Sequence, residues 1–144
     1  MERVTGIGGI FFKAEDPAAL VEWYRRHLGV EPEPFGGVIF RWYERPEAGQ
    51  AAVVPSTDRS SEAPAPLREG TTVWSAFPKD TGHFAPSAAP FMINYRVRDL
   101  DAMLAQLREA GVPLVGEPES SEYGSFAWLQ DPEGNKIELW QPPA

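Results

Sequence analysis

Apolar and polar residues follow two rhythms along this chain, and the two rhythms recur in the same order. "GGIFFKAEDPAALVEWYRRHLGV" (8–30) and "FMINYRVRDLDAMLAQLREAGV" (91–112) each run from alternation, through an aspartate, into a helical period, and end on Gly-Val. Alternation marks strands with two different faces, and a period near 3.6 marks amphipathic helices. Asp16 and Asp99 are suited to cap the helices, with Pro17 at the first helical position, where no amide hydrogen is needed. Leu20, Trp23, Tyr24, His27 and Leu28 form the expected buried stripe of the first helix. Leu100, Met103, Leu104, Leu107 and Ala110 form that of the second. Gly29 and Gly111 can take the left-handed conformation that closes a helix.

The parallel extends beyond the helices. "FGGVIFRW" (35–42) matches "YGSFAWLQ" (123–130), and "EGTTVWSAFP" (69–78) matches "EGNKIELWQP" (133–142) at a constant offset of 64. Each half reads as strand–helix–strand–strand–strand, with a short second strand near 31–34 and 113–116. The prediction is an α+β fold of two tandem βαβββ modules in one domain, 1–144. Module 1 covers about 4–84 and module 2 about 88–142. Residues 46–70 are rich in Pro, Ser, Ala and Glu and stand where the second half has only the turn "DPEG". They read as an insertion, either a lid or a surface elaboration, with "QAAVV" a candidate short strand. In the last strand Ile137 and Leu139 share one face, and Lys136, Glu138 and Trp140 the other.

Composition narrows the chemistry. A chain of 144 residues with 42% hydrophobic residues can bury a core. It has no cysteine, which excludes disulfides, thiolate metal sites and cysteine nucleophiles. The net charge of −8 argues against nucleic acid, and it either serves only solubility or also favours cationic ligands by attraction. No run approaches the roughly 18 apolar residues of a membrane span. The opening "MERVTGIGG" lacks a signal-peptide layout, so a cytoplasmic protein with no membrane partner is expected. "GIGG" (6–9) starts a strand and does not join a strand to a helix, so it is no phosphate loop. His27 sits near a helix C-terminus, where its partial charge is welcome. His83, in "FPKDTGHFAPS", can fold back over a cavity mouth as an acid–base group, or lie in an exposed loop.

The repeated plan, with "DPAALVEWYRRHLGV" early and "YGSFAWLQDPEGNKIELWQP" late, resembles the vicinal oxygen chelate superfamily. Its members include glyoxalase I, extradiol dioxygenases, epimerases, fosfomycin-resistance transferases and bleomycin-resistance proteins. The resemblance implies curved mixed sheets wrapped around a cavity, helices outside, and a homodimer. It also implies where metal ligands would stand: on the first strand of each module, seven residues before the helix-opening aspartate, and on the fourth strand. Those positions are Gly9, Met92, Glu138 and, at the offset of 64, Trp74. Only Glu138 can ligate a hard cation, whereas a catalytic zinc takes about three protein ligands. No metal or other cofactor is therefore expected.

With Gly9 and Met92 facing the cavity, Phe11, Lys13, Asn94 and Arg96 face it too, joined by Trp74, Ala76, Lys136, Glu138 and Trp140. The expected ligand-binding set is Phe11, Trp74, Met92, Asn94, Arg96, Glu138 and Trp140. From the strand at 35–42, either Phe40 and Trp42 or Ile39 and Arg41 contribute. Glu138 can contact a ligand or pair with Arg96 or Lys136. The leading expectation is a bleomycin-resistance-like, metal-independent protein that binds a small aromatic or cationic organic molecule. The alternative is a glyoxalase-like lyase, isomerase or dioxygenase using a divalent metal, with Glu138 and His83 as its catalytic candidates.

Overall fold

Both helices begin where an aspartate caps them. In the computed structural model of the protein, which describes residues 1–44 and 66–144, Asp16 accepts a hydrogen bond from the Ala19 amide at 3.0 Å. Asp99 accepts one from Ala102 at 2.9 Å. These bonds satisfy amides that have no partner inside the helix. They open α1 (Pro17–Leu28) and α2 (Leu100–Glu109). Gly29 caps α1 with φ 69°, and Gly111 follows α2 with φ 73°.

Seven strands form one mixed sheet: β1 (Gly6–Ala14), β2 (Val38–Glu44), β3 (Arg68–Pro78), β4 (Phe91–Arg96), β5 (Glu119–Ser121), β6 (Gly124–Gln130) and β7 (Lys136–Gln141). Among the described residues their order is β2-β3-β1-β4-β7-β6-β5. The halves meet in the middle, where β1 runs antiparallel to β4. On either side, β1 pairs with β3 and β4 with β7, both in parallel. The predicted α+β architecture with tandem modules is present, with differences in detail. Residues 31–34 form no strand, and near 113–116 there is an isolated bridge from Leu114 to Leu129. A short strand unmarked by apolar alternation, β5, pairs with β6 instead. Most of the expected insertion, with "QAAVV", lies outside the described residues, and Arg68 to Gly70 belong to β3.

The two helices are unequally buried. Leu100, Met103 and Leu104 of α2 pack with Val97, Ala127, Leu129 and Leu139 into the main core. On α1, Val21 is the buried residue, while Trp23 and Leu28 are 52% and 62% exposed. The stripe on α1 is thus rotated from the expected one: Tyr24 meets the sheet, and Trp23 lies against His27 at the surface, the rings tilted by 45°. Leu104→Ala is expected to cost about 2–5 kcal/mol in urea unfolding, and Leu28→Ala about 0.5 kcal/mol or less.

Candidate functional site

The site grows from a bulge in the central strand. The pairing of β1 with β4 shifts between Ile7 and Gly9, so Gly8 is the extra residue. A Cβ at Gly9 would lie 2.7 Å from Phe11 Cζ and 3.3 Å from Asn94 Cβ. One at Gly8 would collide with Asn94 Oδ1 and approach Trp140 Cε3 to 2.8 Å. The paired glycines therefore leave the room that Phe11, Asn94 and Trp140 occupy across the strand.

Over this bulge lies a cavity of about 760 Å³. Gly8, Phe11 and Val73 come from the first half, and Asn94, Glu138 and Trp140 from the second. Phe35 of the α1–β2 connection and Tyr123 of the β5–β6 turn contribute further aromatic surface. Trp140 is fixed by its indole N–H, which donates to the Tyr123 carbonyl at 2.8 Å. Elsewhere on the same face of the sheet, the β3–β4 connection inserts Phe84, fully buried, against Phe11 and Met92.

Glu138 is 4% exposed and is held from both neighbouring strands. Asn94 Nδ2 on β4 donates to Oε1 at 2.6 Å, and Trp128 Nε1 on β6 donates to Oε2 at 2.7 Å. His83 Nε2 lies 3.5 Å from Oε2, its ring stacked on Phe77. An ion pair of Glu138 with Arg96 or Lys136, one of the readings open from the sequence, is not among these contacts. The Arg96 guanidinium lies over the rings of Trp42 and Trp140, at 5.3 and 5.5 Å. Lys136 Nζ donates to the His83 carbonyl at 2.7 Å. Burial pushes the Lys136 ammonium below its ordinary value of 10.5, against the opposing attraction of Glu138.

Of the residues singled out from sequence, Phe11, Asn94, Glu138 and Trp140 line the cavity. Met92 lies on the same face but is fully buried under Phe84, and Arg96 stacks beside the cavity on Trp140. His83 does fold back, to Glu138, bringing the two catalytic candidates together. Trp74 is a correction: it packs on Phe12 and Tyr24, at 4.9 and 4.7 Å, on the helix side of the sheet. The offset of 64 fails by one residue. Asn94, five residues before Asp99, corresponds to Phe11, five before Asp16. Asn94 pairs with Glu138, but Phe11 pairs with Ser75. A slip of one residue moves every side chain of a strand to the other face. Ala76 is likewise on the helix face, paired with Phe12, and Thr71 and Val73 line the cavity in place of Trp74 and Ala76. Ile39 is the β2 residue that reaches the cavity.

Trp128 is not legible as a site residue from its own segment. The signal that could have found it is the turn: the "DPEG" hairpin places Trp128 directly opposite Glu138. The corrected family ligand positions, Gly9, Ser75, Met92 and Glu138, do not fit a metal. They offer one carboxylate, and each of its oxygens already accepts a hydrogen bond. Among the described residues no group of three or more His, Cys, Asp or Glu could hold an ion.

Residues 9–140 match the family model of the glyoxalase-like domain. The chain belongs to this family. No curated protein matches the sequence. Among solved structures, methylmalonyl-CoA epimerase from Mycobacterium tuberculosis is 24% identical, with a TM-score of 0.56 over 98% of this chain and 90% of its own. The Streptomyces coelicolor methylmalonyl-CoA epimerase, a variant in complex with 2-nitronate-propionyl-CoA, is 19% identical, with a TM-score of 0.60 over 99% and 100%. A glyoxalase/bleomycin resistance protein/dioxygenase superfamily member from Vibrio splendidus 12B01 is 14% identical, with a TM-score of 0.52 over 98% and 99%. These likenesses concern the fold. No helix among the described residues is long and apolar enough to cross a membrane.

Lys136 supplies a test of the electrostatics. Its folded-state pKa lies below its unfolded value, so between the two the unfolded chain binds more protons and stability rises with pH. The rise is expected from the lowered folded value up to about 10.5. Lys136→Met should flatten it, as seen in the difference between the two proteins' unfolding free energies across that window.

Proposed function

We propose that the protein binds a small aromatic organic cation in the cavity over the β1 bulge and needs no metal to do so. The observation that carries this reading is the charge of the lining. Glu33, Glu122 and Glu138 all border the cavity, and among the described residues no Lys, Arg or His borders it, the guanidinium of Arg96 lying beside it over the Trp140 ring at 5.5 Å. Glu138 lies at the buried floor, Glu33 is half-buried and Glu122 is at the exposed rim. Aromatic rings supply the surrounding surface. Carboxylates in a partly dehydrated, ring-lined space favour a cation through both Coulombic attraction and the negative faces of the rings. The same lining disfavours an anionic acyl-CoA of the kind named for the epimerase structures. Binding, with the cavity as a sequestering or carrying site, follows from these features without a chemical step.

One observation favours an enzymatic second reading. His83 and Glu138 stand 3.5 Å apart, close enough for an acid–base pair to tighten into a hydrogen bond once a substrate is bound. On that reading Glu138 transfers a proton to or from a bound metabolite and His83 orients it, in a glyoxalase-like isomerisation or lyase step.

Calorimetric titration with 2-phenylethylammonium, neutral 2-phenylethanol and propionyl-CoA separates these possibilities. The ammonium is expected to bind about tenfold more tightly than the alcohol, with affinity falling as salt is raised. Glu138→Gln should remove most of that preference, with its melting curve reporting whether the fold is intact. Equal affinity for the cation and the alcohol, or tighter binding of the CoA ester, would sink the proposal.

A further inference from the structure

The floor of the cavity holds an acceptor that meets no donor among the described residues. Asn94 is 3% exposed, and its Nδ2 is committed to Glu138 Oε1 at 2.6 Å. That bond fixes the orientation of the amide, because a flipped Asn94 would set two acceptors against each other. Oδ1 is therefore turned toward Gly8, where it is buried without a hydrogen-bond partner among the described residues. Gly8, Asn94 and Glu138 all border the same cavity. A buried carbonyl oxygen left unpaired is costly, and a native structure holding one needs a reason.

The reason is legible beside it. Glu138 accepts a side-chain hydrogen bond at each oxygen, from Asn94 and from Trp128, and a carboxylate can take about four. Asn94 Oδ1 and Glu138 thus make an acceptor-rich corner on a floor whose remaining lining is mostly apolar. Aromatic surfaces and carboxylates alone would take any organic cation, including a quaternary one, whose charge is wrapped in methyl groups. An acceptor corner distinguishes cations by whether they carry N–H bonds.

Resting on the cation-binding reading above, we infer that Asn94 is a specificity-determining residue. It selects ligands whose cationic group carries N–H donors, such as primary or secondary ammonium and amidinium ions, over quaternary ammonium. The ligand's N–H groups divide between Asn94 Oδ1 and the spare capacity of Glu138, so the orphan acceptor is satisfied on binding. Oδ1 is closed off beside the Gly8 notch, so a ligand N–H group reaches it only by displacing the Trp140 ring from that notch. Gly8 matters here because any side chain at that position would occupy the space of the amide itself.

The test is a matched pair: 2-phenylethylammonium against its N,N,N-trimethyl derivative, titrated into the full-length protein and into Asn94→Ala. The primary ammonium is expected to bind about tenfold more tightly to the wild type, the effect of one charge-assisted hydrogen bond. In Asn94→Ala the preference should shrink by about fivefold, because Glu138 still accepts. Equal binding of the pair to the wild type overturns the inference and leaves the cation reading standing. A preference undiminished in Asn94→Ala overturns the role of Asn94. Binding of neither cation, with 2-phenylethanol still bound, overturns the cation reading and the inference together. Should Asn94→Ala fail to fold, Asn94→Val, which also removes the amide oxygen and suits a strand, carries the same comparison: a preference undiminished there overturns the role of Asn94.

Discussion

A carboxylate buried at the centre of a sheet constrains everything built around it. Removing Glu138 from water costs several kcal/mol unless its oxygens are met by donors. Two donors reach it from separate strands, Asn94 on β4 and Trp128 on β6. Each charge-assisted bond contributes about 1.5–3 kcal/mol, enough to offset the burial only if both strands hold their register. That register is set locally. Asp131 accepts from the Glu133 and Asn135 amides, both at 2.9 Å, and closes the turn that aligns β6 with β7. Its carboxyl is held below its ordinary pKa chiefly by the Asn135 side chain. A solvent-exposed turn thereby fixes a buried site several residues away.

The glycine bulge performs the complementary task on the other half of the sheet. Across β1, Gly9 is paired with both Asn94 and Val73, so the first module meets the second where side chains are absent. The large residues Phe11, Asn94 and Trp140 then fill that relief and shape the cavity. Beyond the bulge, Ile10 turns away with Trp74 on the helix side, opposite the face that borders the cavity.

Much of this is legible in the sequence. Helix caps, the tandem plan and the placement of Asn94 and Glu138 on one face follow from short-range patterns that no distant contact overrides. The failures have a common cause. Aligning Glu69-Gly70 with Glu133-Gly134 puts Trp74 level with Glu138, but the first pair lies inside β3, paired with Tyr43 and Trp42, whereas the second precedes β7. Equal residues in unequal structural settings produce a shift of one, and period-2 geometry turns that shift into a reversal. The partner of Glu138 escapes for a related reason. Trp128 is chosen by cross-strand register, which a linear pattern does not state. On α1, the sequence offers a wide apolar stripe, and tertiary packing uses Val21 and Tyr24 and leaves Trp23 outside.

The central junction between β1 and β4 has a consequence for the order of assembly. The β6–β7 hairpin joins residues close in sequence, so its closure entropy is small and it can form early. The β1–β4 ladder joins segments more than eighty residues apart, as in the pairing of Gly9 with Asn94. The carboxylate and its Trp128 donor therefore belong to a fast, local unit, while the cavity walls are completed only when distant halves dock. The cavity takes Gly8, Phe11 and Val73 from one half and Asn94, Glu138 and Trp140 from the other, so it exists only once the two modules have docked.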